Sequence, residues 1–186
     1  MGSTGKSGMI YKLSEVYFVR PLAETDLEGA YPKWFEDQEV CRYNSHGKFF
    51  KSKTWFREYL GQLDREDRLV WAMCHVDDGH IGNISLESLS FINRTAEFAI
   101  LVGEKQHWGR GVALLAGKAI LEHGFKKLNL KRIYCATAAT NDGMKKLAAG
   151  LGMKLEGTRR DHCFLNGARV DVLEYGILRS ELESLT

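Results

Sequence analysis

TAEFAILVGEKQHWGRGVALLAGKAI, residues 95–120, changes its pattern twice within one short stretch. Thr95–Val102 is nearly continuous in apolar residues, which suits a strand covered on both faces. Gln106-His107-Trp108-Gly109-Arg110-Gly111 interrupts it with two glycines, and from Val112 apolar residues return at helical spacing. A strand, a glycine turn and a helix in that order make a phosphate cradle. The glycines let the backbone turn and approach a ligand, and the helix offers unpaired N–H groups and the positive end of its dipole. A lone Gly-x-Gly is weak and ordinarily marks a tight turn, so the flanks carry the reading.

Working outward, the helix from Val112 carries Leu114, Leu121, Phe125 and Leu128 on one face, with Gly117 between them to allow a close approach to a sheet. Arg132 to Thr137 reads as a strand, and Asn141 precedes a short helix through Ala149. A right-handed crossover makes that strand parallel to 95–102 and sets the glycine turn at the strand's C-terminal end, where such sheets bind ligands. Upstream, Leu69–Val76 and Ile81–Leu89 form a hairpin about Asp78-Gly79, and Phe91–Arg94 leads into the central strand. Val16–Arg20 reads as a first strand. Thr25 with Glu28 predicts a capping box for a helix near Asp26, which Pro32 bends or ends, and Ser52 caps a helix bearing Phe56, Leu60 and Leu63. Trp55 and Tyr59 read as core. FLNGARVDVLEYGI closes the chain as a hairpin turned at Asn166-Gly167. The fold class is α/β, a mixed sheet of about six or seven strands with helices on both faces.

The 186 residues, 44% hydrophobic and 27% charged, describe one globular domain over 9–180, with a flexible leader at 1–8 and a tail at 181–186. Gly5-Lys6-Ser7 imitates the end of a P-loop but lacks the earlier glycine and a preceding strand. A net charge of +2 without a basic stripe gives no reason to expect a nucleic-acid partner. No apolar run reaches the ~20 residues that span a bilayer and no signal peptide is visible, so no membrane is implied and a cytoplasmic location is expected. Cys41, Cys74, Cys135 and Cys163 form no Cys-x-x-Cys and read as reduced structural thiols. The six histidines read as scattered, without an acidic partner at ligand spacing, so no metal is expected.

Gln106, Gly109 and Gly111 match the acetyl-CoA signature of the GNAT acyltransferase superfamily: Arg or Gln, two residues, Gly, one residue, Gly or Ala. AEFAILVG resembles that family's preceding strand, and Asn141, Leu147 and Gly152-Met153 resemble its later Asn…Leu-Tyr-x-x-x-Gly-Phe segment. Arg20-Pro21-Leu22, Asp26-Leu27 and the run Trp34–Val40 are similar to the branch of ribosomal-protein N-terminal acetyltransferases. That branch also holds enzymes acting on polyamines, antibiotics and sugar-linked amines.

The resemblance implies a centrally splayed sheet and acetyl-CoA as co-substrate. Backbone amides from Gln106 through His107, Trp108, Gly109, Arg110 and Gly111 to Val112 would hold its pyrophosphate. The strand at Ile100, Leu101 and Val102 would pair with the pantetheine arm and aim one N–H at the thioester oxygen, and Asn141 is either a CoA contact or a plain helix cap. Glu97 occupies the position of a carboxylate general base, or else is a sheet-edge or salt-bridge glutamate. The family's thiolate-protonating tyrosine is replaced by Ala148, which leaves Tyr134 or solvent as proton source, or an unassisted departure. The activity implied is acetyl transfer to a primary amine by direct attack. A protein N-terminus is the first choice of acceptor and an amino sugar or other small amine the alternative, bound between the N-terminal helices, the Trp34–Tyr43 and His46–Phe50 segments and the C-terminal hairpin. A non-catalytic acyl-CoA-binding protein is a further alternative, motivated by Ala148. Monomer and homodimer both stay open.

Overall fold

A computed structural model of the chain describes residues 10–63 and 66–183; the leader at 1–8 lies outside the described residues. The sheet has eight strands, more than periodicity counted. In chain order they are β1 (Tyr11–Lys12), β2 (Tyr17–Pro21), β3 (Leu69–His75), β4 (Gly79–Ser90), β5 (Thr95–Val102), β6 (Arg132–Ala138), β7 (Lys154–Leu165) and β8 (Ala168–Leu178). They lie in the order β1-β2-β3-β4-β5-β6-β8-β7. Every neighbouring pair is antiparallel except β5 and β6, which run parallel as the crossover rule requires. β1 is two residues long, below what alternation can reveal.

Helices α1 (Tyr31–Trp34), α2 (Lys53–Gly61), α3 (Val112–Lys126), α4 (Asp142–Gly150) and α5 (Arg179–Glu183) cover the sheet. α3 and α4 bury Val112, Ala116, Ile120, Phe125, Ala148 and Leu151 against one face, with Ile84, Leu86, Ala96, Phe98 and Ile133. On the other face Tyr31, Trp34 and Phe56 pack over Val70, Ala72 and Cys74. The Ser52 hydroxyl caps α2 by accepting from the Trp55 amide at 3.1 Å.

Four expectations need correction. The 3-10 turn at Glu24–Glu28 opens at Ala23, whose amide donates to the Asp26 carboxylate at 2.8 Å, so Asp26 closes this turn and Thr25 caps nothing. Pro32 lies in the first turn of α1 and helps to start that helix, where a proline's missing N–H costs nothing. Gly117 is not the close-approach point to the sheet. A Cβ there would meet the Leu151 side chain at 2.9 Å, whereas one on Gly124 would meet Ile133 and Leu86 of the sheet at 2.9 Å. The segment read as a tail from 181 begins inside α5, and Leu182 packs on the main core.

Candidate active site

β5 and β6 pair only through Thr95↔Arg132, Ala96↔Ile133 and Glu97↔Tyr134. Beyond that last pair the strands part, and Phe98–Val102 face Cys135–Ala138 across a fork with no ladder between them. Residues alternate along a strand, and Ala96, Phe98, Ile133 and Cys135 all belong to the α3-side core. Glu97 and Tyr134 therefore sit side by side at the crotch of the fork, on the opposite face. Both are half-buried. No hydrogen bond or ion pair engages the Glu97 carboxylate among the described residues.

Past the open end of β5 the chain makes a 3-10 turn at Lys105–His107 and reaches the glycines. Gly109 at φ 72° and Gly111 at φ 81° hold left-handed backbone, and a Cβ on either would meet nothing within 4 Å. They are glycines for their conformation, and the space beside them is open to a ligand. Gly111 caps α3 without a side-chain bond, and the amides of Leu114 and Leu115 both turn back to its carbonyl at 3.1 Å. Among the described residues the amides of Gly109, Gly111, Val112 and Ala113 have no intramolecular acceptor. Four amides without an intramolecular acceptor at the head of a 15-residue helix make an anion seat. We expect Gly111→Val to weaken coenzyme A binding roughly 5- to 30-fold from the 1–2 kcal/mol of left-handed strain. Calorimetry checks this; an unchanged affinity would remove the seat from Gly111.

The neighbours are partly committed elsewhere. The amides of His107 and Trp108 close the 3-10 turn to Glu104 and Lys105. The His107 ring points inward, 2% exposed, with Nδ1 3.0 Å from the Tyr17 hydroxyl and Nε2 3.1 Å from Asp78. Trp108 donates its indole N–H to the Val102 carbonyl at 2.8 Å, fixing the end of β5. The Asn141 side chain accepts from the Met144 amide at 3.1 Å and donates to Thr137 Oγ1 at 3.1 Å, so it caps α4, with one carbonyl lone pair and one N–H to spare. Ala148 is wholly buried in the α3-side core and carries no proton donor.

The N-terminal segment, named from the sequence as a wall of the acceptor site, is stapled to the cradle loop by contacts that no local sequence pattern marks. The Trp34 indole lies flat on Gly103, so close that a Cβ on Gly103 would fall within its ring, and its N–H donates to Glu104 at 2.8 Å. Lys105 bridges Asp37 at 2.8 Å and Glu39 at 2.7 Å. Tyr43 donates to the Thr140 carbonyl at 3.0 Å, and Lys48 to the Phe164 carbonyl of the β7–β8 hairpin at 3.1 Å. Residues 34–48 thus arch from the end of β5 to the far lip of the fork. Gly103→Ala displaces Trp34, and we expect a loss of about 1–3 kcal/mol in denaturant unfolding; a stability equal to the parent's would show that the indole can move freely. Only an aromatic partner distant in sequence makes Gly103 necessary, so no local signal marks it.

A buried ion cluster supports the arch from below. Asp26 receives Arg20 through two bonds, at 2.8 and 2.6 Å, besides the Ala23 amide. His80 Nδ1 lies 3.2 Å from the same carboxylate but out of line for a hydrogen bond, while its Nε2 contacts Gly82 O and Asn83 Oδ1 at 3.0 and 2.8 Å. Burial alone would raise the Asp26 pKa; Arg20, His80 and the Ala23 amide outweigh it and hold the carboxyl well below its usual range. Cys135 lies beneath the fork against Met153, and burial, with the Glu97 charge, pushes its pKa up to about 12. That thiol is not a nucleophile near neutrality. The histidines are not all scattered: His75, Asp78 and His107 converge, an arrangement that chain spacing concealed because His107 comes from another element.

Comparison with known proteins agrees with this geometry. The family model described as "Acetyltransferase (GNAT) domain" matches residues 17–154. The spermidine N(1)-acetyltransferase of Vibrio cholerae is 30% identical over 138 residues, 68% of this chain and 79% of that protein. The ribosomal-protein-serine acetyltransferase of Escherichia coli (strain K12) is 31% identical over 183 residues, 88% of this chain and 93% of that protein. Among solved structures, spermidine N-acetyltransferase from Vibrio cholerae in complex with CoA and spermine superposes with a TM-score of 0.81 at 25% identity, covering 90% of this chain and 98% of that one. A matching domain model over most of the chain, relatives covering 68% and 88% of it, and a fork with a glycine cradle at its mouth lead to one conclusion: this chain belongs to the acetyltransferase (GNAT) family, in the branch that includes ribosomal-protein acetyltransferases.

Proposed function

We propose that the chain is an acetyl-CoA-dependent N-acetyltransferase in which a primary amine attacks the thioester directly at the β5–β6 fork. The observation that carries this is the sequence of features along one path: Glu97 and Tyr134 at the crotch, an unpaired stretch of β5 beyond them, then the free amides at Gly109–Ala113. The pyrophosphate sits on those amides and the pantetheine arm runs along Ile100–Val102, which brings the thioester to the crotch. A β5 N–H facing the fork stabilises the oxyanion as negative charge develops on the carbonyl oxygen.

The amine must be neutral when it attacks. At pH 7 this costs about 4–5 kcal/mol for a lysine-like amine with pKa ~10.4, but only about 1–1.5 for an α-amine near 7.7–8.0. Glu97 takes the proton, directly or through one water. Nitrogen bonds to the acetyl carbon, the C–S bond breaks, and the coenzyme leaves as a thiolate that Tyr134 or solvent protonates. A ~8.5 thiol-like pKa makes it a tolerable leaving group, which suits a chain with alanine at position 148.

For the acceptor, a protein N-terminus fits the open, arched cleft and the similarity to a ribosomal-protein acetyltransferase. A small polycationic amine is the second reading. Glu87 lies directly across from Glu97 on the neighbouring strand, so two carboxylates share that face. The spermidine acetyltransferase relatives point the same way. Release of free coenzyme A thiol from acetyl-CoA is the test, with peptides bearing free α-amines, spermidine and amino sugars as acceptors. Release with at least one class is expected and ranks the acceptors; coenzyme binding with no release from any would establish instead a non-catalytic acyl-CoA-binding protein.

A further inference from the structure

We propose that His75, Asp78 and His107 form a site for one divalent ion of the zinc class, tying the β3–β4 hairpin to the root of the phosphate cradle. Asp78 Oδ2 lies 3.0 Å from His75 Nδ1 and 3.1 Å from His107 Nε2, and the three ligand atoms fall within 4.8 Å of one another. Metal–ligand bonds of about 2.0–2.1 Å in a tetrahedron separate ligand atoms by about 3.3 Å. Room for an ion therefore needs movements of a few tenths of an ångström at the two Asp78 contacts and a closure of up to about 1.5 Å between the two imidazole nitrogens, which lie within 4.8 Å.

His75 Nδ1 faces the Asp78 carboxylate at 3.0 Å. Its single lone pair otherwise meets only the amides of Asp77 and Asp78, at 3.3 and 3.4 Å, long contacts that an ion would displace. The other nitrogen of His107 is oriented by the Tyr17 hydroxyl at 3.0 Å, the outer support that metal-bound histidines ordinarily have. Two imidazoles with one carboxylate select zinc, nickel or copper over magnesium or calcium. Asp78 is 39% exposed, so an ion can enter from solvent and keep a water as its fourth ligand, while His107 anchors the site from within at 1%. His107 immediately precedes Trp108 and Gly109, so an occupied site stiffens the cradle without touching the reacting atoms.

The experiment uses the full chain stripped of metal with a chelator and titrated with zinc chloride by calorimetry, then with cobalt(II) to read coordination from its visible bands. The expected result is one equivalent of zinc bound, a four-coordinate cobalt spectrum, and at least tenfold weaker binding in both His75→Gln, which keeps a polar side chain of similar length, and Asp78→Asn, whose side chain is partly exposed. His107→Ala is avoided because that ring is buried on Tyr17. Absence of stoichiometric binding, or binding that neither substitution weakens, overturns the proposal; the second outcome would move the ion elsewhere, for example to His162 and Cys163. Failure here leaves the acetyl-transfer reading intact, since no ligand touches the thioester path.

Discussion

Glu97→Gln should lower kcat/KM for the preferred amine by roughly 10²–10³-fold, within the usual span for a lost general base. The amide keeps the shape of the side chain but cannot take the proton, and coenzyme A affinity should stay the same because the cradle lies beyond the open half of β5. The deficit should depend on pH in a defined direction. Below the acceptor's own pKa the amine arrives charged and a base is needed, so the ratio of parent to variant is greatest at low pH and narrows as the pH rises through that pKa. Steady-state rates across that range, on the acceptor found by thiol release, make the check. Equal rates at every pH would reduce Glu97 to a structural glutamate and leave the neutral fraction of the amine in solution to set the rate.

The largest expected effect on folding comes from Asp26→Asn. Its carboxylate is 4% exposed and accepts Arg20 through two bonds and the Ala23 amide through a third. The amide cannot neutralise Arg20, which remains partly buried with no counter-charge, and breaking such a pair costs about 3–5 kcal/mol. Arg20 is 28% exposed, so the lower end is expected, near 3 kcal/mol of a total that is about 5–15 for a domain of this kind. The folded carboxyl titrates below its unfolded value of 3.8. Its contribution is therefore complete above about pH 4 and is lost as acid protonates it. Urea unfolding of parent and variant should differ most near neutrality and converge below pH 4. A difference under 1 kcal/mol at pH 7 would show that solvent reaches Arg20 and screens the pair.

What sequence disclosed and what it hid follow a physical division. β5 was legible to the residue because its nearly continuous apolar run is bounded by Asn93-Arg94 and by a glycine; the expected cover on both faces is not found, since only Ala96 and Phe98, on the α3 side, are buried and Ala99 is exposed. The Asp78-Gly79 and Asn166-Gly167 turns were legible for the same local reason. The edge strand β1 escaped because two residues carry no period. Asp26 reads as a residue beside a capping box because the pattern cannot show that its bonded partners are Arg20 and the Ala23 amide. Of the proposed site, the cradle glycines stand out by their spacing and Glu97 through resemblance, while Tyr134 enters only as a stand-in for the tyrosine that Ala148 replaces. The position of Glu97 and Tyr134 together at the last rung before the fork was not readable, since it depends on the register of two strands separated by α3. Partners distant in the chain were invisible for the same reason: Trp34 on Gly103, Lys105 on Asp37 and Glu39, His107 on Asp78.

The staples between residues 34–48 and the segment 103–107 bear on how two ligands sense each other. Under the proposed function, whatever rigidity a nucleotide confers on the glycine loop would pass through the indole and the lysine into the wall proposed to receive the amine, and the reverse path is the same. Thermodynamic linkage makes the two affinities rise or fall by one common factor. Cutting the staple at Lys105 should thus bring that factor toward unity while leaving each ligand able to bind alone.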